Sequence, residues 1–158
     1  MSTEQKNPLA VQTYRTMLSA LEDRNWKYVS DDEKLLAHFR VNGDDIPLNF
    51  LIRIDEKREV VKLTSPMPFH ISEERRIEGA VAACAASYGM TDGCFEIDLS
   101  DGMLLYRIST SFTKSVLGKG AFHYLIDCTC ALVDHYNDLF LALDKGIITL
   151  SDFIAKAQ

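Results

Sequence analysis

No run in this 158-residue chain is long and apolar enough to cross a bilayer, and its opening, MSTEQKNPLA, has no basic segment leading into an apolar stretch. A membrane partner and a secretory leader are therefore not expected, and a cytoplasmic protein is. Cysteine is scarce. Four residues without regular spacing do not make a disulfide framework, so Cys84, Cys94, Cys128 and Cys130 read as free thiols of a reducing compartment. C-x-x-C, H-E-x-x-H and G-x-S-x-G are all absent. Gly118-Lys119-Gly120 fails as a phosphate loop, because Gly120 stands where a hydroxyl should hold the metal and the required upstream glycine is missing. Basic residues are also in deficit. With 17 Lys and Arg against 23 Asp and Glu, the net charge of −6 repels phosphate backbones unless a local patch overrides it, so nucleic acid is not an expected partner. There is no repeat, linker or low-complexity tract. A hydrophobic share of 47% with 9% aromatics is that of a globular chain, and residues 1–158 are expected to form one domain.

What is present is mostly periodicity. Asn7-Pro8 offers a cap and a first-turn proline, after which Val11, Tyr14, Leu18 and Leu21 recur at helical spacing. From Trp26 the period becomes two. A short strand in WKYVS is followed by Leu35, Ala37, Phe39 and Val41 alternating with Leu36, His38 and Arg40. Beyond the Asn42–Asp45 turn, Ile46, Leu48, Phe50, Ile52 and Ile54 alternate with Asn49, Leu51 and Arg53. The charged turn Asp55–Arg58 leads into EVVKLTS, a strand that the prolines of SPMPF are expected to end. Ser72, Glu73 and Glu74 cap a second helix whose stripe is Ile77, Val81, Cys84 and Tyr88. Its Gly79, Ala80, Ala83 and Ala86 permit a close neighbour. CFEIDL and MLLYRIS form a hairpin around Gly102, which supplies a positive φ. A long helix to about Lys145 and a short one from Ser151 complete the chain. The expectation is α+β, an antiparallel meander plus hairpin with helices on one face, in the order α-β-β-β-β-α-β-β-α-α.

Two surfaces stand out as candidate sites. LIDCTCALVDHY, Leu125 to Tyr136, gathers cysteines, aspartates and a histidine. At about 100° per residue, however, Cys128 and Cys130 point apart, while Phe122, Leu125, Ile126, Thr129, Leu132, Val133, Tyr136, Phe140 and Leu143 share the core face. Opposite them His123, Asp127, Cys130 and Asp134 form a stripe that reads as a solvated face, a His–Asp pair or ligands for a divalent ion. The paired acids Asp31-Asp32 and Asp44-Asp45 read as turn residues. The outer sheet face is the second surface. Leu36, His38, Arg40, Leu51 and Arg53, with Asn49, Lys62, Leu105 and Arg107, make a basic, partly apolar patch on an acidic protein. It is either wetted, with its arginines paired to Glu96 and Asp98, or a partner or dimer surface.

A first helix ending in Arg24-Asn25-Trp26, a meander with charged turns, an acidic-capped helix, a hairpin with Asp101-Gly102 before MLLYR, and closing helices resemble the YbjN domain. This bacterial sensory transduction regulator family is similar in fold to type III secretion chaperones. The resemblance spans residues 9–145, with ASYGM replacing an expected asparagine near the end of the second helix. It implies a small bacterial cytoplasmic protein without catalytic residues or cofactor that forms a homodimer and binds other proteins. The leading expectation is thus a non-enzymatic, chaperone-like or regulatory protein-binding module that holds no metal. The partner surface is assigned to Leu36, His38, Arg40, Leu51, Arg53, Leu105 and Arg107. The alternatives are a metal-dependent enzyme or metal sensor using the His123 stripe, and a small-molecule sensor with a pocket between sheet and long helix.

Overall fold

A computed structural model describes residues 6–158, so Met1–Gln5, half of the opening read for a leader, lie outside the described residues. The elements follow the expected order: α1 (Pro8–Asp23), β1 (Tyr28–Asp31), β2 (Leu36–Asn42), β3 (Pro47–Asp55), β4 (Val60–His70), α2 (Arg76–Ser87), β5 (Cys94–Ile97), β6 (Met103–Ser111), α3 (Lys119–Asp144) and α4 (Leu150–Ala157). The six strands form one antiparallel sheet, ordered β1-β2-β3-β4-β6-β5.

One turn design serves two of the hairpins. Asp31 Oδ1 accepts from the Glu33 and Lys34 amides, and Asp55 Oδ1 accepts from those of Lys57 and Arg58. Each turn then closes through a left-handed residue, Leu35 or Glu59. Asp31 is thus a turn residue as expected, and Asp32 accepts from Tyr14 Oη at 2.6 Å. Gly102, at φ +80°, ends the β5–β6 turn, and its carbonyl accepts from the Ile71 amide.

The prolines of SPMPF do not end β4, contrary to the sequence expectation. β4 runs on to His70, with a register shift between Pro66 and His70. The reason lies in the pairing. Thr64 is the last β4 residue opposite β3, so both prolines stand where β4 has a neighbour on one side only, a position that tolerates a missing N–H.

Alternation along the strands separates two faces. Ala37, Phe39, Leu48, Phe50, Ile52, Ile54, Val61 and Leu63 are buried beneath the helices, and the intervening residues face outward. Trp26, Phe39 and Phe50 stack in series on the inner side, with centroids 5.6 and 4.8 Å apart. The core face expected for α3 is buried nearly as written, joined by Asn137, with Leu132 half-buried at its margin. Rings of Phe95, Tyr136, Phe140 and Phe153 pack together between β5, α3 and α4.

Helix α1 is rotated relative to the expected stripe. Asn7 caps it, its Oδ1 accepting from the Leu9 amide, but Ala10, Thr13, Met17 and Ala20 are buried beside Tyr14 and Leu21, while Val11 and Leu18 are only half-covered. Small residues face inward because α1 lies close against α3: His123 Nε2 comes within 3.0 Å of the Ala20 carbonyl.

Candidate interaction surfaces

The stripe on α3 is a partly solvated seam, with Asp127 exposed, on which α1 and the β2–β3 turn dock. His123 meets the Ala20 carbonyl, and Asp127 takes both arms of the Arg24 guanidinium at 2.5 and 2.8 Å. Asp134 Oδ1 accepts from the Asp44 amide at 3.2 Å, tying down the turn. Arg24 also stands over the Trp26 ring, 5.2 Å from its centroid, so one guanidinium joins α1, α3 and the sheet. The electrostatics follow this packing. The Arg24 hydrogen bond holds the Asp127 carboxyl below its usual range, and burial lifts that of Asp134. Burial, with Asp134 and Asp127 nearby, pushes the Cys130 thiol up to about 11, which keeps it protonated and a poor metal ligand. Among the described residues no three His, Cys, Asp or Glu side chains are grouped to hold a metal ion.

The outer sheet face collects the residues assigned to it from sequence. His38, Arg40, Leu51 and Arg53 are exposed, and Leu36, Leu105 and Arg107 are half-buried. Strand register sets them in rows. One runs Val29, His38, Leu51, Thr64, Arg107 and Cys94 across all six strands. Two residues further along β3, Leu36, Arg53 and Lys62 stand side by side, and two residues the other way Arg40 faces Asn49. Arg107 differs from the others, because its guanidinium is bound to Glu96. Asp98, the other acid considered as an arginine partner, is turned into its own loop and accepts from the Ser100 amide and hydroxyl. Among the described residues Lys27, Arg40, Arg53 and Lys62 form no ion pair, and the ion pairs seen there lie at Arg24, Lys34, Arg75, Arg107 and Lys119. A shallow concavity of about 310 Å³ opens on this face among Lys27, Val29, His38, Arg40 and Asn49. Val29, 60% exposed on the edge strand, was not singled out in the sequence because β1 is too short to show alternation.

Helix α2 presents the surface that sequence reasoning missed. Its large stripe does not face the core: Ile77 is 69%, Val81 44% and Tyr88 82% exposed, with Cys84 among them. Gly79, Ala82, Ala83 and Ala86 on the opposite side are buried instead. The approach is tight, since a methyl group added at Gly79 would stand 3.2 Å from the side chains of both Ile71 and Ile97. Ser87 Oγ fastens the C-terminal end by accepting from the Phe95 amide of β5 at 2.8 Å. At the other end Ser72, read as a cap, donates its amide and hydroxyl to Asp144 of α3 rather than closing its own helix, and a 3₁₀ turn at Glu73–Arg75 intervenes. The result is an apolar depression of about 500 Å³ along Ile77, Val81, Cys84 and Tyr88. The sequence carried a signal: from Gly79 to Thr91 no residue is charged, so α2 is apolar on both sides after its first turn.

No family model matches the chain, and no curated protein matches it in sequence. Solved structures match it in fold. YbjN from E. coli, named as a candidate transcription regulator, is 13% identical with a TM-score of 0.60, over 82% of this chain and 94% of that one. A chain of the HopA1–SchA chaperone–effector complex is 16% identical with a TM-score of 0.51, over 79% of this chain and 92% of that one. Neither is named for a catalytic activity. No helix among the described residues is long and apolar enough to cross a membrane. The chain therefore has a YbjN-like, chaperone-like α+β fold, the architecture that its element order and turns pointed to.

Proposed function

We propose that residues 1–158 act as one non-enzymatic protein-binding module of the cytoplasm, which pairs with a second copy of itself through α2 and offers the outer sheet face to another protein. The observation that carries this reading is the uncovered side of α2. Beyond its charged first turn, Arg76 and Glu78, α2 carries no charge on either side; such a helix belongs between two packed layers, and the protomer supplies only one of them. Ile77, Val81, Cys84 and Tyr88 are spaced four, three and four, the seam by which two helices interdigitate. A two-fold axis through that seam sets the same apolar patch of both copies face to face. The likeness in fold to one chain of a chaperone–effector complex and to a candidate regulator supports a role in binding rather than in chemistry. Arg40, Arg53, His38 and Leu51, with Leu36, Leu105 and Arg107 at the margins, are left to the second partner.

Light scattering after size exclusion tests the pairing. The wild-type chain should elute with the mass of two copies, and Val81→Glu should halve it while leaving the circular dichroism unchanged. A wild-type monomer at high concentration would count against the reading.

A further inference from the structure

The outer sheet face has a charge pattern that the fold does not need, and it specifies the chemistry of a ligand. Arg53 and Lys62 are direct cross-strand neighbours, both exposed, and among the described residues neither meets a carboxylate. Like charges placed directly opposite each other in a sheet destabilise it, so this pair is a standing cost that a bound anion would relieve. The acids on the same face are already engaged, Asp31 in its own turn with Lys34, Asp55, two residues beyond Arg53, in its turn with the Lys57 and Arg58 amides, and Glu96 with Arg107. A second cationic group, Lys27 and Arg40, borders the concavity at the other end. Between the two groups runs the row of Val29, His38 and Leu51, in which Val29 is 60% and Leu51 38% exposed.

Resting on the reading of this face as a partner surface, we propose that it binds an acidic protein segment carrying one apolar side chain between two carboxylates. The spacing comes from the strands. Arg40 lies four residues from Leu36 on β2, and Asn49 four from Arg53 on β3, so the cationic rows are about 13 Å apart at the rise of an extended chain. An extended partner with the pattern acid-x-apolar-x-acid has the same repeat along the strands, and, lying obliquely from β3–β4 to β1–β2, leaves the sideways offset of two strands, about 10 Å, to the reach of the long Arg and Lys side chains. It places its first carboxylate at Arg53 and Lys62, its apolar side chain on Leu51 and Val29, and its second carboxylate in the concavity by Arg40 and Lys27. A nucleic acid fits less well. Its phosphates would cross the apolar middle row, and a long polyanion feels the −6 charge of the whole chain, whereas a short acidic segment needs only the local field.

The test uses the full chain, ¹⁵N-labelled, with a synthetic peptide containing Glu-Thr-Leu-Thr-Glu, a second peptide with both glutamates replaced by lysine, and a short DNA duplex. The expected result is that the glutamate peptide shifts resonances of β1 to β4 and weakens with salt, while the lysine peptide does nothing and the duplex binds more weakly. Arg53→Glu with Lys62→Glu should lower the peptide affinity at least about tenfold, and Leu51→Ser should lower it less. Arg40→Gln provides a milder variant should the double reversal perturb the fold. The proposal is overturned if the glutamate peptide does not bind, if its shifts map elsewhere, if these variants bind it equally well, or if the duplex displaces it. Any of those outcomes leaves pairing through α2 untouched, because that pairing is read by mass and not by peptide.

Discussion

Helices α2 and α3 use the same sequence rule with opposite results. In α3 the large apolar residues, Phe122, Ile126, Val133 and Phe140, face the core, joined by Thr129 and Asn137, and the charged ones face the neighbouring elements or solvent. In α2 the large apolar residues Ile77, Val81 and Tyr88 face away, and glycine and alanine make the contact. Periodicity says which residues share a side of a helix; the distance to the neighbour decides which side goes in. α3 lies across the sheet with room for rings, whereas α2 runs beside β5 at a spacing where even a methyl group at Gly79 would press on Ile71 and Ile97.

That contrast can be broken from both ends. Phe140→Ala on α3 removes a fully buried ring that touches Phe95 and Phe153, and should cost about 3–5 kcal/mol in urea unfolding. Ala83→Leu on the inner side of α2 overpacks a contact built for small residues and should cost about 1–3 kcal/mol, without the cavity signature of the first variant. Tyr88→Ser on the outer side should change the stability of the protomer by no more than about 0.5 kcal/mol when measured in dilute solution, although it removes a far larger side chain than Ala83.

A similarly small effect belongs to the polar seam between α1 and α3. Arg24 and Asp127 are partly exposed, so a double-mutant cycle with Arg24→Gln and Asp127→Asn should give a coupling of only about 0.2–1 kcal/mol, decreasing with salt. Its pH dependence has a fixed sign. The folded Asp127 carboxyl titrates below its unfolded value, so the pair stabilises above the unfolded value and its contribution disappears as the pH falls through the folded one. Wild type and Asp127→Asn should therefore converge in acid, as followed by thermal melts.

Much of the fold was legible in the sequence because each clue was local. Alternation from Leu35 to Ile54 set both the strands and their inward faces, Asp31 and Asp55 announced their turns, and Gly102 marked the last one. What escaped depended on partners distant in sequence. Pro66 and Pro68 are tolerated only because β3 stops pairing at Thr64, which no window of β4 reveals. His123 and Asp127 resembled a ligand stripe until Ala20 and Arg24, about a hundred residues earlier, proved to be their partners. The sheet candidates were legible as a set, since a period of two places them together. That Arg107 would be claimed by Glu96 while Arg53 and Lys62 would be left facing each other depended on strand order.

The most direct test of the central claim is the reactivity of Cys84, which sits in the middle of the outer α2 stripe and is exposed in the protomer. Alkylation of the full chain at high concentration, followed by peptide mass analysis, should show Cys84 protected several-fold in wild type relative to the Ile77→Glu variant, with protection falling on dilution. Equal alkylation of Cys84 in both proteins at every concentration would contradict a second copy covering α2.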